Sequence, residues 1–458
     1  MRAGREGSGQ RLQYLGWFLI LVAAGTRIVN AFGYRTRLGF DSVENVEYIE
    51  MLMHSWALPA PDAAWATSHP PFFYYLFAAV GRGLNLLGDP ESLLVAIPLV
   101  GGLASLIIAA LAASMVKRLK PGAQGRALIA LFVVLFLPVQ IYLSAMVNEE
   151  ILAALFVSGA LWLAVVPASG EQDPDAPPTS SRVVWIGVLG GLALLTKLSG
   201  VLVLAAIASA WMIAGWKNHR GNEAFRRTLL MGAVAGVIGG WFYIRNYFLY
   251  GYLYPQDLAM HSIMFEMPPG SRALLAYLYI PLATWTDPQL LNQDLLESVW
   301  GSTYSTLYFD GHRHFLPDST TIGKLGTLLL LLGLLPIAAF VIGWARASIG
   351  VFRKPSSTEL PLVLLTFFSI VGYIFFTYNN PWFATLKAGY LLGLSLPFAW
   401  WSSRTLAYWI SRPGALRWTV IVWLATLGIA VTLTFTTGLI FEKTDGPGLP
   451  WQAQMETP

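Results

Sequence analysis

Acidic and basic residues that could act on a charged substrate stand at the ends of apolar segments throughout the 458-residue chain. The acids are Asp41, Glu44 and Glu149, and the cations are Lys197, Arg245 and Lys387. A carboxylate can accept a proton from a hydroxyl group, and cations can stabilise negative charge that develops on a leaving group. Residues of these types, brought together beside a bilayer, could transfer a group from an anionic lipid-linked carrier.

The composition shows what kind of protein must position these residues. Hydrophobic residues make up 55% of the chain and charged residues only 12%, whereas soluble domains carry about 25% charged residues. This excludes a soluble globular protein. The absence of cysteine excludes disulfides, a thiolate nucleophile and cysteine-ligated metals. Although the net charge is +4, the basic residues lie in short loops between apolar segments, so we expect no nucleic-acid partner.

Apolar runs of about 20 residues, the length that crosses a bilayer, predict about eleven transmembrane helices. These segments are 14–33, 93–115, 127–146, 151–167, 183–197, 199–216, 229–248, 322–345, 359–378, 388–404 and 417–440. We therefore expect an all-α polytopic integral membrane protein. The first run lacks a convincing small-residue cleavage site, which favours an uncleaved helix over a cleaved signal peptide.

The loop charges predict the orientation of the chain. More than half of the 29 Lys and Arg residues fall in alternate short loops, and the positive-inside rule makes these loops and the N-terminus cytoplasmic. The apolar stretch 70–87 is assigned to the membrane interface, because a span there would invert every later loop. The candidate site is then extracytoplasmic, and we expect a bacterial inner or plasma membrane.

Two outer loops are long enough to carry function. The predicted organisation is a transmembrane catalytic module, 1–249, that includes the first outer loop, 34–92. The second outer loop, 250–321, precedes C-terminal transmembrane helices over 322–458. We expect interfacial helices in the loops, because rings such as those of Tyr48, Phe73 and Tyr74 favour the membrane surface. The second loop is expected to close over the acceptor.

Cations and carboxylates at one membrane depth suit a lipid-linked phosphate, and a phosphate leaves without a dedicated general acid. The residues therefore indicate glycosyl transfer from a polyprenyl-phosphate sugar. Each residue also has a simpler reading. Asp41 could cap the following helix, Lys197 could extend its ammonium to the interface, and His69, which precedes two prolines, could end a turn.

Several motifs resemble the GT-C superfamily of integral membrane glycosyltransferases, in the branch of bacterial protein O-mannosyltransferase-like enzymes and the aminoarabinose transferase of lipid A. They occur in order through most of the chain: the Asp41–Ile49 stretch, His69-Pro70-Pro71 with Tyr74-Tyr75, Asn148-Glu149, Thr196-Lys197 before Gly200, Arg245-Asn246, and Lys387-Ala388-Gly389-Tyr390.

The resemblance implies that Asp41 is the catalytic base, that Glu149 helps to place a substrate, and that Lys197 and Arg245 lie near the phosphate. Glu44 is a further candidate beside Asp41. The remaining candidates for binding the donor are His69, Lys387, Asn148 and Tyr48. Two positions depart from relatives: Ser42 follows Asp41 where many have an Asp-Glu pair, and His69 replaces a lysine.

The predicted function is an inverting transfer of a sugar from a polyprenyl-phosphate donor to a hydroxyl of a protein, glycan or lipid. The alternative is a multi-spanning transporter or flippase, although transporters usually place ionisable residues near the bilayer midplane. The sequence identifies no cofactor, and a divalent metal is kept as a minor alternative. Asp310, His312 and His314 supply suitable ligand types for a divalent metal, but a polar turn is the favoured reading.

Overall fold

The computed structural model describes residues 2–86, 92–167, 178–254, 268–288, 293–353 and 358–441, and every regular element in these ranges is helical. The helices in the N-terminal part are α1 (Arg2–Gly33), α2 (Ser42–His54), α3 (Phe72–Gly83), α4 (Leu93–Leu119), α5 (Gln124–Leu135), α6 (Pro138–Ser144), α7 (Glu150–Val165), α8 (Ser180–Thr196), α9 (Val201–Lys217), α10 (Gly221–Ala235) and α11 (Trp241–Tyr250). The others are α12 (Ala283–Thr286), α13 (Gln293–Leu296), α14 (Val299–Tyr308), α15 (Thr320–Arg353), α16 (Glu359–Asn379), α17 (Ser395–Ser411) and α18 (Ala415–Phe435). Parts of both predicted outer loops lie outside the described residues.

The described helices confirm the predicted polytopic membrane architecture. Seven helical segments are long and apolar enough to cross a membrane, and the bent pair α5 and α6 makes an eighth. Helices α7 and α8 are apolar but shorter, and α17 continues from a 3₁₀ helix, Ala388–Leu394. Together these elements occupy the eleven segments that hydropathy predicts.

A bend of 50° separates α5 from α6 and is held by a buried arginine. Pro138 begins α6 without an N–H group, so carbonyls at the end of α5 lose helical partners. Arg27 of α1 donates from Nη2 to the Leu135 carbonyl at 3.1 Å and to Ser105 Oγ of α4 at 2.9 Å. This guanidinium therefore joins three helices.

Close contact of α8 with the turn before α11 depends on glycine. The π-helical turn Gly236–Gly240 connects α10 to α11. A Cβ atom on Gly239 would lie 2.3 Å from the Gly191 carbonyl oxygen of α8, closer than non-bonded atoms allow. This close approach brings α11, which carries Arg245, against α8, which ends just before Lys197.

Helices α2 and α3 form as predicted, but the rings of Tyr48, Phe73 and Tyr74 do not face the membrane surface. Tyr48 and Tyr74 are fully buried, and Phe73 and Phe77 are each 2% exposed. These rings form one apolar cluster that also includes Leu93 of α4. The interfacial prediction for Tyr48, Phe73 and Tyr74 is therefore wrong, because the apolar faces of the two helices pack on protein instead of lipid.

The second outer loop is fastened to the end of α16 by Arg272. Its Nε donates to the Thr377 carbonyl at 3.2 Å, and its Nη2 donates to the Trp382 carbonyl at 2.8 Å. Carbonyls at a helix C-terminus lack helical partners and attract cations. The residues after Arg272 then pack Ala276 into a cluster with Tyr373 and Leu386. The loop therefore lies at the end of the bundle that carries Lys387.

Candidate functional site

Asp41 stands at the start of α2 with its carboxylate free of a capping role. Its backbone is left-handed, with φ of 50°, and its carbonyl accepts a hydrogen bond from the Asn45 N–H at 2.8 Å. The carboxylate accepts no capping hydrogen bond from the helix, and the side chain is 42% exposed. Helix capping therefore does not account for this carboxylate.

Lys387 faces Asp41 from the start of the 3₁₀ helix before α17. Its Nζ lies 4.0 Å from Asp41 Oδ2, and its side chain is 11% exposed. The ammonium also lies 4.6 Å from the ring centroid of Phe40 and 5.1 Å from that of Tyr390. Burial alone would lower the pKa of Lys387, but Tyr390 and the nearby carboxylates raise it above its usual value. These neighbours therefore favour the protonated form of the lysine.

Lys197, between α8 and α9, forms ion pairs with two adjacent carboxylates. Its Nζ lies 3.0 Å from Glu149 Oε1 and 2.5 Å from Glu150 Oε1. The ammonium also lies 4.8 Å from the ring centroid of Tyr390. These contacts replace the predicted alternative in which Lys197 extends to the interface. One cation and two carboxylates leave this group with a net charge of −1.

The ion pairs keep this group charged although it is buried. Burial opposes ionisation. By itself, burial would lower the pKa of Lys197 and raise the pKa of Glu149. The carboxylates of Glu149 and Glu150 instead raise the pKa of Lys197 well above its usual value. Lys197, followed by His69, lowers the pKa of Glu149.

Asn148 supports the acidic pair through the backbone. Its Nδ2 donates to the Leu143 carbonyl at 2.9 Å, and its Oδ1 accepts the Glu150 N–H at 3.0 Å. The second bond satisfies one of the free N–H groups at the start of α7. Asn148 thus fixes the turn from which Glu149 and Glu150 reach Lys197.

His69 belongs to a chain of hydrogen bonds that connects α3 with α2. Its Nδ1 lies 3.0 Å from the Tyr74 hydroxyl, which donates to Asn45 Oδ1 at 2.8 Å. Asn45 in turn donates to the Val147 carbonyl at 2.8 Å, just before Asn148. The ring of Tyr48 stacks on that of Tyr74, with 4.1 Å between the centroids.

Arg245 lies apart from the ion pairs. Its Nη2 donates to the Leu58 carbonyl at 3.4 Å and its Nη1 donates to Asn246 Oδ1 at 3.2 Å. Within the described part of the chain it forms no ion pair. The structure thus brings Asp41 together with Lys387, and Lys197 with Glu149, but does not place Arg245 in contact with either pair.

Glu44 lies three residues after Asp41 in α2 and is partly buried. Burial raises the pKa of Glu44, its own backbone N–H opposes this shift, and the charges of Asp41 and Glu47 add to it. Among the described residues, Glu44 forms no ion pair. Glu44 therefore lies near the candidate base, Asp41, but is not paired with a cation among the described residues.

The residues Asp310 to His314 form a turn. No group of three His, Asp or Glu side chains that could hold a metal ion occurs among the described residues. Instead, Asp310 Oδ2 accepts the backbone N–H groups of Phe315 and Leu316 at 2.6 and 2.8 Å. The rings of His312 and His314 both contact Phe40, with centroid distances of 5.1 and 4.1 Å. The turn therefore supports the residue that precedes Asp41.

Three residues of this site were not among the predicted ones: Phe40, Glu150 and Tyr390. Glu150 directly follows Glu149 at the start of α7. Tyr390 follows Lys387 by three residues, and residues with that spacing share one face of a 3₁₀ helix. Those two signals were present in the sequence. The role of Phe40 depends on contacts with the distant second loop, which no local pattern reveals.

Comparisons with known proteins agree with this architecture. Residues 68–240 match the family model described as dolichyl-phosphate-mannose-protein mannosyltransferase. Among curated proteins, none matches the sequence. The structure is similar to that of ArnT from Cupriavidus metallidurans bound to undecaprenyl phosphate, with a TM-score of 0.51 and 14% identity. That similarity covers 94% of this chain and 76% of ArnT.

The oligosaccharyltransferase of Archaeoglobus fulgidus is also similar. Its complex with Zn and sulfate has a TM-score of 0.53 and 15% identity, covering 97% of this chain and 55% of that chain. The archaeal oligosaccharyltransferase AglB from the same organism, in complex with an inhibitory peptide and a dolichol-phosphate, has a TM-score of 0.50 and 15% identity. That similarity covers 97% of this chain and 57% of AglB. This chain therefore spans little more than half of the length of these archaeal chains.

The chain shares its fold with ArnT and with the archaeal oligosaccharyltransferase, and the predicted resemblance to GT-C glycosyltransferases is confirmed at the level of the fold. The matched family model covers residues 68–240, a little more than a third of the chain. That stretch includes His69, Glu149 and Lys197.

Proposed function

We propose that the protein is an integral membrane glycosyltransferase that moves a sugar from a polyprenyl-phosphate donor to a hydroxyl group of an acceptor. The observation that carries this proposal is the pairing of Asp41 with Lys387. A partly exposed carboxylate that caps no helix faces a buried ammonium at 4.0 Å. A base and an anion-binding cation thereby lie side by side.

In the proposed reaction, Asp41 accepts the proton of the acceptor hydroxyl. The acceptor oxygen forms a bond to the anomeric carbon while the bond from that carbon to the phosphate oxygen breaks. The attack comes from the face opposite the phosphate, so the anomeric configuration inverts. The electron pair of the broken bond stays on the polyprenyl phosphate, which leaves without protonation because a phosphate is a stable anion.

The cations have different capacities to hold that phosphate. Two of the three N–H donors of Lys197 are used by Glu149 and Glu150, which leaves one for a phosphate oxygen. Among the described residues, Lys387 forms a single ion pair, with Asp41 at 4.0 Å. We therefore infer that Lys387 is the main phosphate ligand, with Lys197 in a supporting position. Arg245 is proposed to bind the donor at a point farther from the reacting carbon.

The lipid chain of the donor is proposed to lie beside this polar cluster. A small cavity there is lined by Glu150 and Lys197 and by the apolar side chains of Val157, Leu202 and Leu365. These three residues belong to α7, α9 and α16. A polyprenyl chain would lie between these spans while its phosphate reaches the lysines.

The comparisons support the classes of donor and acceptor. One similar protein was determined with undecaprenyl phosphate and another with a dolichol-phosphate and a peptide. The matched family description names dolichyl-phosphate mannose and protein. We therefore propose mannose on a polyprenyl phosphate as the donor to test first, and proteins, glycans and lipids as the acceptor classes to compare.

The proposed reaction takes place on the extracytoplasmic side, with the N-terminus in the cytoplasm. The loop charges support this orientation through the positive-inside rule. The chain has no cysteine, so Asp62→Cys would carry the only thiol. A membrane-impermeant maleimide should label that exposed position in intact cells. Labelling only after the cells are opened would show that this position faces the cytoplasm and would contradict the proposed orientation.

The decisive experiment is a transfer assay with purified protein in nanodiscs, radiolabelled polyprenyl-phosphate mannose and a membrane extract. Asp41→Asn should abolish transfer while leaving donor binding intact. Asp62→Asn is the matched control, since Asp62 is exposed and outside the ion-pair cluster. Equal transfer by wild type and Asp41→Asn would exclude the proposed base. No transfer with any lipid-linked sugar, together with lipid or solute movement across vesicles, would establish the transporter alternative.

A further inference from the structure

We propose that residues 274–282 of the second outer loop insert into the lipid leaflet at the site end of the bundle. This segment, which we call the leucine segment, exposes large apolar side chains although it belongs to a loop. The exposed fractions are 70% for Leu274, 67% for Leu275, 79% for Leu278 and 74% for Leu282. The proposal does not depend on transferase activity.

The leucine segment is uncharged. Between Arg272 and Asp287 the chain contains no Asp, Glu, Lys or Arg. An exposed loop in water normally carries polar and charged residues, whereas contiguous exposed apolar surface marks an interaction site. Its residue types therefore match a lipid environment better than an aqueous one.

Contacts with α16 place the leucine segment beside the membrane. The Tyr277 hydroxyl lies 2.9 Å from Thr377 Oγ1, and the Arg272 N–H donates to the Tyr378 carbonyl at 3.0 Å. Both partners belong to the last turn of α16, a helix apolar and long enough to span a membrane. The segment thus lies along the end of a span and not above it.

The lipid-facing side of α16 continues into the leucine segment. Five large apolar side chains with helical spacing are exposed on this helix: Phe367, Val371, Ile374, Phe375 and Tyr378. Residues separated by three or four positions lie on one helix face. Because Tyr277 contacts the same helix end, the apolar surface of the span and that of the loop are contiguous. The bilayer that covers the first surface is the partner that fits the second.

The opposite side of the segment is fixed to protein near the candidate site. Ala276 is 6% exposed and packs with Tyr373 and Leu386. The indole of Trp300 donates to the Tyr277 carbonyl at 3.1 Å. Leu386 directly precedes Lys387, so the segment separates the bilayer from the residues that surround this lysine.

Spin-label accessibility in nanodiscs of phosphatidylethanolamine and phosphatidylglycerol tests the insertion. The natural chain has no cysteine, so Leu275→Cys and Leu278→Cys each introduce the only thiol. A label in the leaflet should be relaxed more strongly by oxygen than by a water-soluble nickel chelate. Phe375→Cys on the exposed face of α16 is the lipid control, and Asp62→Cys is the aqueous control.

The matched control within the loop is Ala276→Cys. The side chain of Ala276 is buried, whereas that of the adjacent Leu275 is exposed. We expect neither reagent to reach this label. Labels at Leu275 and Leu278 that respond to the nickel chelate as strongly as Asp62→Cys would overturn the proposal. Labels there that neither reagent reaches would also overturn it, because protein and not lipid would then cover the segment.

Discussion

The ammonium of Lys387 lies 4.6 Å from the ring centroid of Phe40, the residue directly before Asp41. One aromatic ring therefore positions the cation that faces the candidate base. The same ring contacts His314 at 4.1 Å between centroids. The Nε2 atom of His312 lies 3.2 Å from the carbonyl oxygen of Leu386. The second outer loop thus holds both partners of the Asp41 and Lys387 pair.

Removal of the Lys387 charge should weaken donor binding. A hydrogen bond to a charged group is worth about 1.5–3 kcal/mol, so Lys387→Met should raise the KM for polyprenyl-phosphate mannose by about ten- to a hundredfold. Lys387→Arg should retain most of the affinity, because it keeps the charge. Transfer kinetics and donor titration in nanodiscs measure both variants. An unchanged KM with a lower kcat would argue against phosphate binding by this residue.

Loss of Lys197 should destabilise the protein more than loss of one of its partners. Lys197→Met leaves Glu149 and Glu150 buried without a cation, and removing one member of a buried ion pair costs about 3–5 kcal/mol. Glu149→Gln should cost less, because Glu150 still pairs with the lysine. Denaturation in detergent measures the loss of the free energy of unfolding.

The exposed ion pair of Arg227 with Glu223 provides the control. Glu223→Gln should change the free energy of unfolding by less than about 1 kcal/mol, as for other surface pairs. The triple variant that combines Lys197→Met with Glu149→Gln and Glu150→Gln should recover stability relative to Lys197→Met alone. Without recovery, buried unpaired charge would not be the cause of the loss.

Phe40 is expected to act as a positioning residue for Asp41. Phe40→Leu keeps an apolar side chain but removes the ring that contacts Lys387 and His314. Because small displacements of a reacting group reduce rates strongly, kcat should fall by about ten- to a hundredfold, and KM should rise less than in Lys387→Met, which loses the charge itself. Phe40→Tyr, which restores the ring, should restore kcat. Phe77→Leu in the cluster of α2 and α3 should lower Tm without this selective loss of kcat.

Stability should fall as the pH drops below about 6.5 because the buried His312 and the partly buried His314 favour their neutral forms. Burial lowers the pKa of His312 well below its usual value and also lowers that of His314. The unfolded chain then binds protons that the folded chain excludes. The free energy of unfolding should decrease by up to about 1.4 kcal/mol per pH unit for each histidine while the folded form stays unprotonated.

Thermal unfolding between pH 7.5 and 5.5 measures this dependence. The double variant with His312→Gln and His314→Gln should show a flatter slope than wild type, even if its Tm at pH 7.5 is lower. His54→Gln is a control at an exposed histidine on α2. A double variant with the same slope as wild type would assign the pH dependence to other groups.

The membrane architecture could be predicted because bilayer insertion requires long apolar segments, and such segments are visible in any sequence. The positions of Glu149 and Lys197 at the ends of two such segments were visible for the same reason. The packing of α2 and α3 was not, because the apolar face of Tyr48 or Tyr74 suits lipid and protein equally well. The contact of α2 and α3 with α4 in the folded protein determines that protein, and not lipid, covers these apolar faces.

The number of apolar segments and the residue types at their ends follow from the order of the amino acids alone. Hydropathy and charge act locally along the chain, so they can be evaluated without neighbours in space. The packing of the helices is what pairs Lys197 with two carboxylates and makes Lys387 face Asp41. These pairings join residues more than 40 positions apart, and their energies depend on distances and burial that arise when the helices pack.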